Sequence, residues 1–183
     1  MLVGHDWGAA TAWGVAMTRP DLLRKLVILN VPHPSAIARE VRRSFRQKVN
    51  LLYQLFFQLP VLPELTFRLL GRAIMKRAGR FTPEQIELYA QQWRGNLTPM
   101  LNYYRALARA RRSPGKRPAA RIDLPTLLIW GEREPVFLAS SLEGMEEWVP
   151  NLRVERIPGA GHFAQTDAWE RVNELLIEFA REG

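Results

Sequence analysis

Val3-Gly4-His5-Asp6-Trp7-Gly8 stands almost at the start of the chain, and its reading decides the fold. Residues 1–3 are apolar and run directly into the Gly-x-Asp-x-Gly spacing, and residues 9–17 beyond it are small and apolar enough for a helix. A strand that turns abruptly into a helix around a reactive side chain is a nucleophile elbow, here with a carboxylate in the nucleophile's place. Two glycines at this spacing arise by chance at roughly one position in two hundred, so the spacing alone decides nothing. The apolar strand before it and the alanine-rich helix after it are what chance does not supply. The competing reading of Asp6 is a helix N-cap, since Asp there accepts bonds from the first free N–H groups. The two differ in what must follow. An elbow needs an acid and then a histidine further along the chain, each just past a core strand.

Both follow. Residues 25–30 and 124–130 are short apolar β-prone runs bounded by Pro, Asn or Gly, and residues 153–157 form a weaker one. Glu134 lies just past the second run in Gly131-Glu132-Arg133-Glu134, and His162 just past the third in Pro158-Gly159-Ala160-Gly161-His162. Gly159 and Gly161 give that loop the freedom to aim the ring. Of the other two histidines, His5 adjoins Asp6 and reads as structural, and His33 in Asn30-Val31-Pro32-His33-Pro34 has no evident task. Three histidines so dispersed match no metal-ligand spacing, and neither metal nor cofactor is expected. Residues 167–180 close the chain as one amphipathic helix. Strands alternating with helices imply an α/β fold with a parallel sheet.

Between residues 34 and 118 the pattern changes: apolar residues recur at helical spacing among Arg, Gln and aromatics, and no strand-like run appears. We expect a helical insertion at 35–118 within a core formed by 1–34 and 119–183. Thr82-Pro83-Glu84-Gln85 carries a helix start, with Thr as N-cap and Gln three residues on. Residues 111–118, rich in Arg, Pro and Gly, read as the linker back to the core.

The 183 residues carry a formal charge of +8. Nucleic acid would require that charge in a focused stripe; it falls instead in residues 39–48 and 105–121, and a solvated basic surface is the expectation. No stretch reaches the ~20 apolar residues that cross a bilayer, so no membrane partner is expected. The absence of cysteine excludes disulfides and thiol chemistry and fits a cytoplasmic protein.

With these residues in view the chain resembles the soluble epoxide hydrolases of the α/β-hydrolase superfamily, relatives of the haloalkane dehalogenases. The likeness covers essentially the whole chain. It is carried by the elbow, by Asn30-Val31-Pro32-His33-Pro34, Tyr53-Gln54-Leu55-Phe56-Phe57-Gln58, Leu101-Asn102-Tyr103-Tyr104-Arg105 and Trp130-Gly131-Glu132-Arg133-Glu134, and by Gly161-His162. It implies Asp6 as nucleophile, His162 as base oriented by Glu134, the Trp7 N–H as an oxyanion donor, and the insertion as a cap. Tyr53 and Tyr104 of that cap would donate to the oxygen of a small apolar epoxide, with water as second substrate, while Tyr103 packs. Glu134 departs from the Asp usual there.

The resemblance also implies that strands normally preceding the elbow strand, with a His-Gly-x-Pro loop, are missing. The expectation is then the C-terminal half of a mostly parallel sheet, with residues 1–3 as an edge open to self-association, and impaired turnover. Two other readings stand beside it. A haloalkane dehalogenase would use Trp7 against a halide, and a non-catalytic hydrolase-fold remnant would keep the motifs without the activity.

Overall fold

A computed structural model describes residues 1–110 and 121–182, so the basic run read as a linker at 111–118 lies outside the described residues. The elements are β1 (Leu2–His5), α1 (Trp7–Thr18), β2 (Leu26–Leu29), α2 (Pro34–Arg43), α3 (Phe45–Asn50), α4 (Tyr53–Phe56), α5 (Leu62–Ala78), α6 (Pro83–Ala110), β3 (Thr126–Gly131), β4 (Leu152–Ile157), α7 (Ala164–Asp167) and α8 (Trp169–Arg181), with three short 3-10 turns. They fall into two compact units, Met1–Lys48 with Arg117–Gly183, and Val49–Lys116.

In the first unit four strands form one parallel sheet in the order β1-β2-β3-β4. Every residue of β2 and β3 is buried, the pattern of parallel strands covered on both faces. The two-residue side-chain period sorts them. Leu26, Ile28, Leu128 and Trp130 meet Ala9, Ala12, Trp13 and Ala16 of α1. Val27, Leu29, Leu127 and Ile129 meet Val172, Leu175 and Phe179 of α8. Each such aliphatic side chain stabilises the unit by roughly 1.5–3 kcal/mol relative to exposure.

Two sequence expectations are corrected here. The closing segment is two helices, broken at Ala168 (φ −142°), because the Asp167 carboxylate turns back to accept the Gly161 N–H at 2.7 Å. His33 does have a task. Fully buried, it caps α2 by accepting the Ser35 N–H on Nδ1 at 3.2 Å, its ring stacked on Trp148 and edge-on to Trp13.

The second unit contains α4, α5 and α6. The expected start of α6 is a reciprocal capping box: the Gln85 N–H donates to Thr82 Oγ1 at 3.2 Å and the Thr82 N–H to Gln85 Oε1 at 2.9 Å. Gly71 of α5 lies so close to Trp93 of α6 that a Cβ there would stand 2.3 Å from the ring. Arg105 is no part of a solvated patch. It is largely buried, donating to both Glu64 oxygens and to the Phe57 and Leu59 carbonyls. Arg39, in the first unit, likewise spends its guanidinium on the Ser141 and Glu143 carbonyls and the face of Trp148. Among the described residues no helix is long and apolar enough to cross a membrane.

Candidate active site

The carboxyl ends of the strands in the first unit converge on one cluster. At the end of β1, Asp6 takes φ 50° and ψ −121°, and α1 starts at Trp7. Positive φ is rare outside glycine and costs of order 1–3 kcal/mol, a strain typical of functional positions. The Asp6 carboxylate makes no cap bond into the turn of α1 beyond the adjacent Trp7 N–H, which speaks against the N-cap reading. Gly4 is needed where it stands, since a Cβ would meet the Gly8 oxygen and the Ala9 backbone at 2.7–2.9 Å. Gly8 is not, since a Cβ there meets nothing within 4 Å, so only one of the two motif glycines is sterically required.

His162 follows β4, and of the two loop glycines only Gly159 needs its freedom, with φ 80°. The His162 ring lies between two carboxylates. Nδ1 donates to Glu134 Oε2 at 2.7 Å, and Nε2 stands 3.7 Å from Asp6 Oδ1, an ion-pair separation longer than a hydrogen bond. Glu134, just past β3, is almost completely buried and fully engaged. Oε2 also accepts from Asn30 Nδ2 at 2.8 Å, and Oε1 accepts the Val136 N–H at 2.7 Å.

Asn30, at the end of β2 with φ 59°, went unassigned in the sequence analysis. Completely buried, it donates to Glu134 and to the Gly161 carbonyl at 3.1 Å, and accepts the Gly131 N–H at 3.4 Å. It thereby joins the acid's loop to the histidine's loop. The signal present in the sequence was an Asn closing an apolar run before Val-Pro, since Asn tolerates positive φ better than other non-glycine residues. His5 behaves as the structural residue expected: Nε2 donates to the His162 carbonyl at 2.7 Å and Nδ1 faces the Gln165 amide at 3.3 Å.

The electrostatics follow from this packing. Burial by itself lowers the His162 pKa, but the close Asp6 carboxylate, the hydrogen bond to Glu134 and the charges of both outweigh it and raise the pKa to about 9. Burial by itself raises that of Asp6, but the His162 ring, the charges of His162 and His5 and the Trp7 N–H hold it below the usual carboxylate value. For His5, burial and the neighbouring His162 charge lower the pKa. At neutral pH the cluster therefore presents an ionised carboxylate against a protonated, carboxylate-backed imidazole. Among the described residues no group of three or more His, Asp or Glu is placed to hold a metal ion.

The two tyrosines belong to the second unit and are brought together there. Tyr53 and Tyr104 have ring centroids 5.9 Å apart, and both pack edge-on against Phe57. Tyr103, next to Tyr104 on α6, is 56% exposed.

Residues 1–168 match the family described as alpha/beta hydrolase fold. The chain is 34% identical over 199 residues to Epoxide hydrolase 3 of Xenopus tropicalis, covering 100% of this chain and 53% of that one. It is 33% identical to the AB hydrolase superfamily protein YfhM of Bacillus subtilis (strain 168), covering 99% and 65%. It thus spans between about half and two thirds of the length of these relatives. Among solved structures, a mutant of an epoxide hydrolase from Bacillus megaterium, complexed with its product (R)-3-[1]naphthyloxy-propane-1,2-diol, has 29% identity and a TM-score of 0.85 over 98% of this chain and 68% of that one. An epoxide hydrolase from metagenomes of hot environments has 29% identity and a TM-score of 0.82, over 99% and 67%.

Proposed function

We propose that this chain, which belongs to the α/β-hydrolase fold family, opens an epoxide to a vicinal diol through an ester formed on Asp6. The observation that carries the reading is the spacing around His162. An elbow serine must hand its proton to the histidine and needs hydrogen-bond contact with it. An ionised carboxylate has no proton to give, so the 3.7 Å between Asp6 and Nε2 suits an Asp nucleophile and leaves His162 for another task.

In the first step an Asp6 oxygen attacks a ring carbon, the C–O bond breaks, and the epoxide oxygen takes a proton. We assign that donation to Tyr53 and Tyr104, with the second unit acting as the cap that carries them; their adjacency supports this role. Forming the ester removes the charge of Asp6, one of the two carboxylates that hold the proton on His162. The imidazole then gives up its proton, which by way of solvent restores the tyrosine that protonated the epoxide oxygen, and His162 becomes a base at the stage that needs one. It takes a proton from water, the hydroxide adds to the ester carbonyl, and the Trp7 N–H, already directed at the Asp6 carboxylate, donates to the oxyanion. Collapse expels the diol alkoxide, which takes the proton from the imidazolium, and the carboxyl proton that entered with the hydroxide passes back to His162, so that the Asp6 carboxylate and the protonated ring are both restored.

A single turnover with styrene oxide in heavy-oxygen water tests this. The ester route puts solvent oxygen into the Asp6 carboxylate and one of its former oxygens into the diol. Label found only in the diol, or bromide release from bromoalkanes without diol formation, overturns it.

A further inference from the structure

Gln47 is a polar residue at 0% exposure with no place in the steps above, and a buried amide needs an account of its partners. It sits on α3 in the first unit, two residues before Val49, where the second unit begins. Its side chain engages two backbone groups of one short stretch. Nε2 donates to the Val136 carbonyl at 2.9 Å, and the Leu138 N–H donates to Oε1 at 2.9 Å. One amide thus offers the donor and acceptor that a neighbouring strand would offer, using one of its two donors and its single carbonyl.

Val136 is the link. Its carbonyl is held by Gln47, and its N–H donates to Glu134 Oε1 at 2.7 Å, opposite the oxygen that receives His162. The stretch beyond is fastened separately, by Ser140 donating to Glu40 at 2.8 Å and by Arg39 on the Ser141 and Glu143 carbonyls. Glu40 and Arg39 therefore anchor the far end of the loop, while Gln47 acts beside the carboxylate.

We propose that Gln47 is a positioning residue: by clamping Val136 and Leu138 from α3 it sets the depth and rotamer at which the Glu134 carboxylate meets the His162 ring. The proposal rests on reading Glu134 as the partner of His162 in the reaction. Without the clamp, the part-buried Val136 carbonyl and Leu138 N–H lose their partner, the peptide of Val136 rotates to find new ones, and Glu134 follows it away from Nδ1.

The test replaces Gln47 with Leu, which fills similar space without polar atoms, and with Met, a more pliant filler in case the Leu variant does not fold. Ser44→Ala is the control, because Ser44 Oγ accepts the Gln47 N–H, at 3.2 Å, at the start of α3 and so touches the backbone of Gln47 rather than its amide. The readout is the titration of the His162 ring followed by NMR well below the melting temperature. Gln47→Leu or Gln47→Met should lower the His162 pKa by about one unit or more, within the range a close carboxylate supplies. Ester hydrolysis should slow by roughly 10- to 100-fold, with smaller change in the preceding ester formation. Ser44→Ala should lower the melting temperature and leave the titration in place. A Gln47 variant that melts earlier but keeps the parent titration overturns the proposal and makes Gln47 a packing residue. The titration needs no substrate, so a moved pKa in a chain that makes no diol would sink the proposed function and leave the clamp standing.

Discussion

Glu134→Gln removes one charge and changes almost no volume, and its consequences can be worked from three distances. The parent carboxylate receives three donors, from His162 at 2.7 Å, Asn30 at 2.8 Å and Val136 at 2.7 Å, with nearly no exposure to water. An amide has one oxygen. If it faces His162 and Asn30, its NH2 opposes the Val136 N–H; turned over, it opposes two donors. The first arrangement is preferred and leaves the part-buried Val136 N–H unpaired, at about 1–3 kcal/mol. The lost charge also acts on His162, because a carboxylate this close supplies about 1–3 pKa units, so the ring should titrate at least one unit below its parent value of about 9. The sign of the stability effect follows. A folded pKa raised from 6.5 to about 9 contributes stability that is complete below pH 6.5 and is lost as pH rises through 9, roughly 3 kcal/mol in all for this largely buried ring. Urea denaturation at pH 6 and pH 9 should show the parent losing most of that amount, and Glu134→Gln losing markedly less. NMR titration of the ring gives the pKa directly. A variant whose His162 titrates with the parent, or a parent ring titrating near 6.5, refutes the electrostatic account. Diol formation should fall steeply as well; a carboxylate-to-amide change behind a protease histidine costs about 10⁴.

The remaining outcomes are simpler. His33, buried and held neutral by burial with a pKa of about 4, should destabilise the parent as pH falls below 6.5, so His33→Asn, which keeps an acceptor for the Ser35 N–H, should lose about 2 kcal/mol less between pH 7 and pH 5 in urea titrations; equal losses would refute it. Gly4→Ala should destabilise by about 1–3 kcal/mol or more through its contact with the Gly8 and Ala9 backbone, and Gly8→Ala should be neutral or stabilising, as thermal melts will show. Tyr53→Phe and Tyr104→Phe should slow ester formation by on the order of 10- to 1000-fold in stopped-flow assays and spare ester hydrolysis, while the exposed Tyr103→Phe changes neither; equal effects from all three would withdraw the tyrosines from the site.

The parts of the site that could be read from the sequence are those whose signal is local or ordered along the chain. Asp6 announces itself through the strand before it and the helix after it, and Glu134 and His162 through their places just past apolar runs. What orients them is not local. Asn30 reaches Glu134 across 104 positions and Gln47 reaches Val136 across 89, and at neither end does any periodicity mark the pairing. His33 and Arg105 were misread for a related cause: a lone ring or guanidinium looks solvated until Trp13 and Trp148, or Glu64 and two carbonyls, are folded around it. The break at Ala168 was hidden because an amphipathic pattern continues through it, and only the bond from Gly161 to Asp167 shows why the chain turns.

That division bears on how the sheet fixes the chemistry. The registers of β1 on β2 and of β3 on β4 set where Asp6 and His162 fall, since His5 pairs with Leu29 and Gly131 with Ile157. A slip of one residue would carry Asp6 about 3.3 Å along its strand and turn it to the other face, a displacement comparable to the whole 3.7 Å gap to His162. Burial alone is a weak guard against such a slip here, because β2 and β3 are apolar on both faces and a shifted strand would still bury carbon. Shape helps, with small alanines of α1 on one side and Leu175 and Phe179 of α8 on the other. The stronger constraint is polar. Asn30 stands directly after the residue paired with His5, and its amide is satisfied only where Gly131, Glu134 and Gly161 meet. A slipped β2 would leave that amide buried without partners, at about 1–3 kcal/mol for each lost bond. The residue that orients the acid is thus also the one that locks the register on which the nucleophile-to-base distance depends.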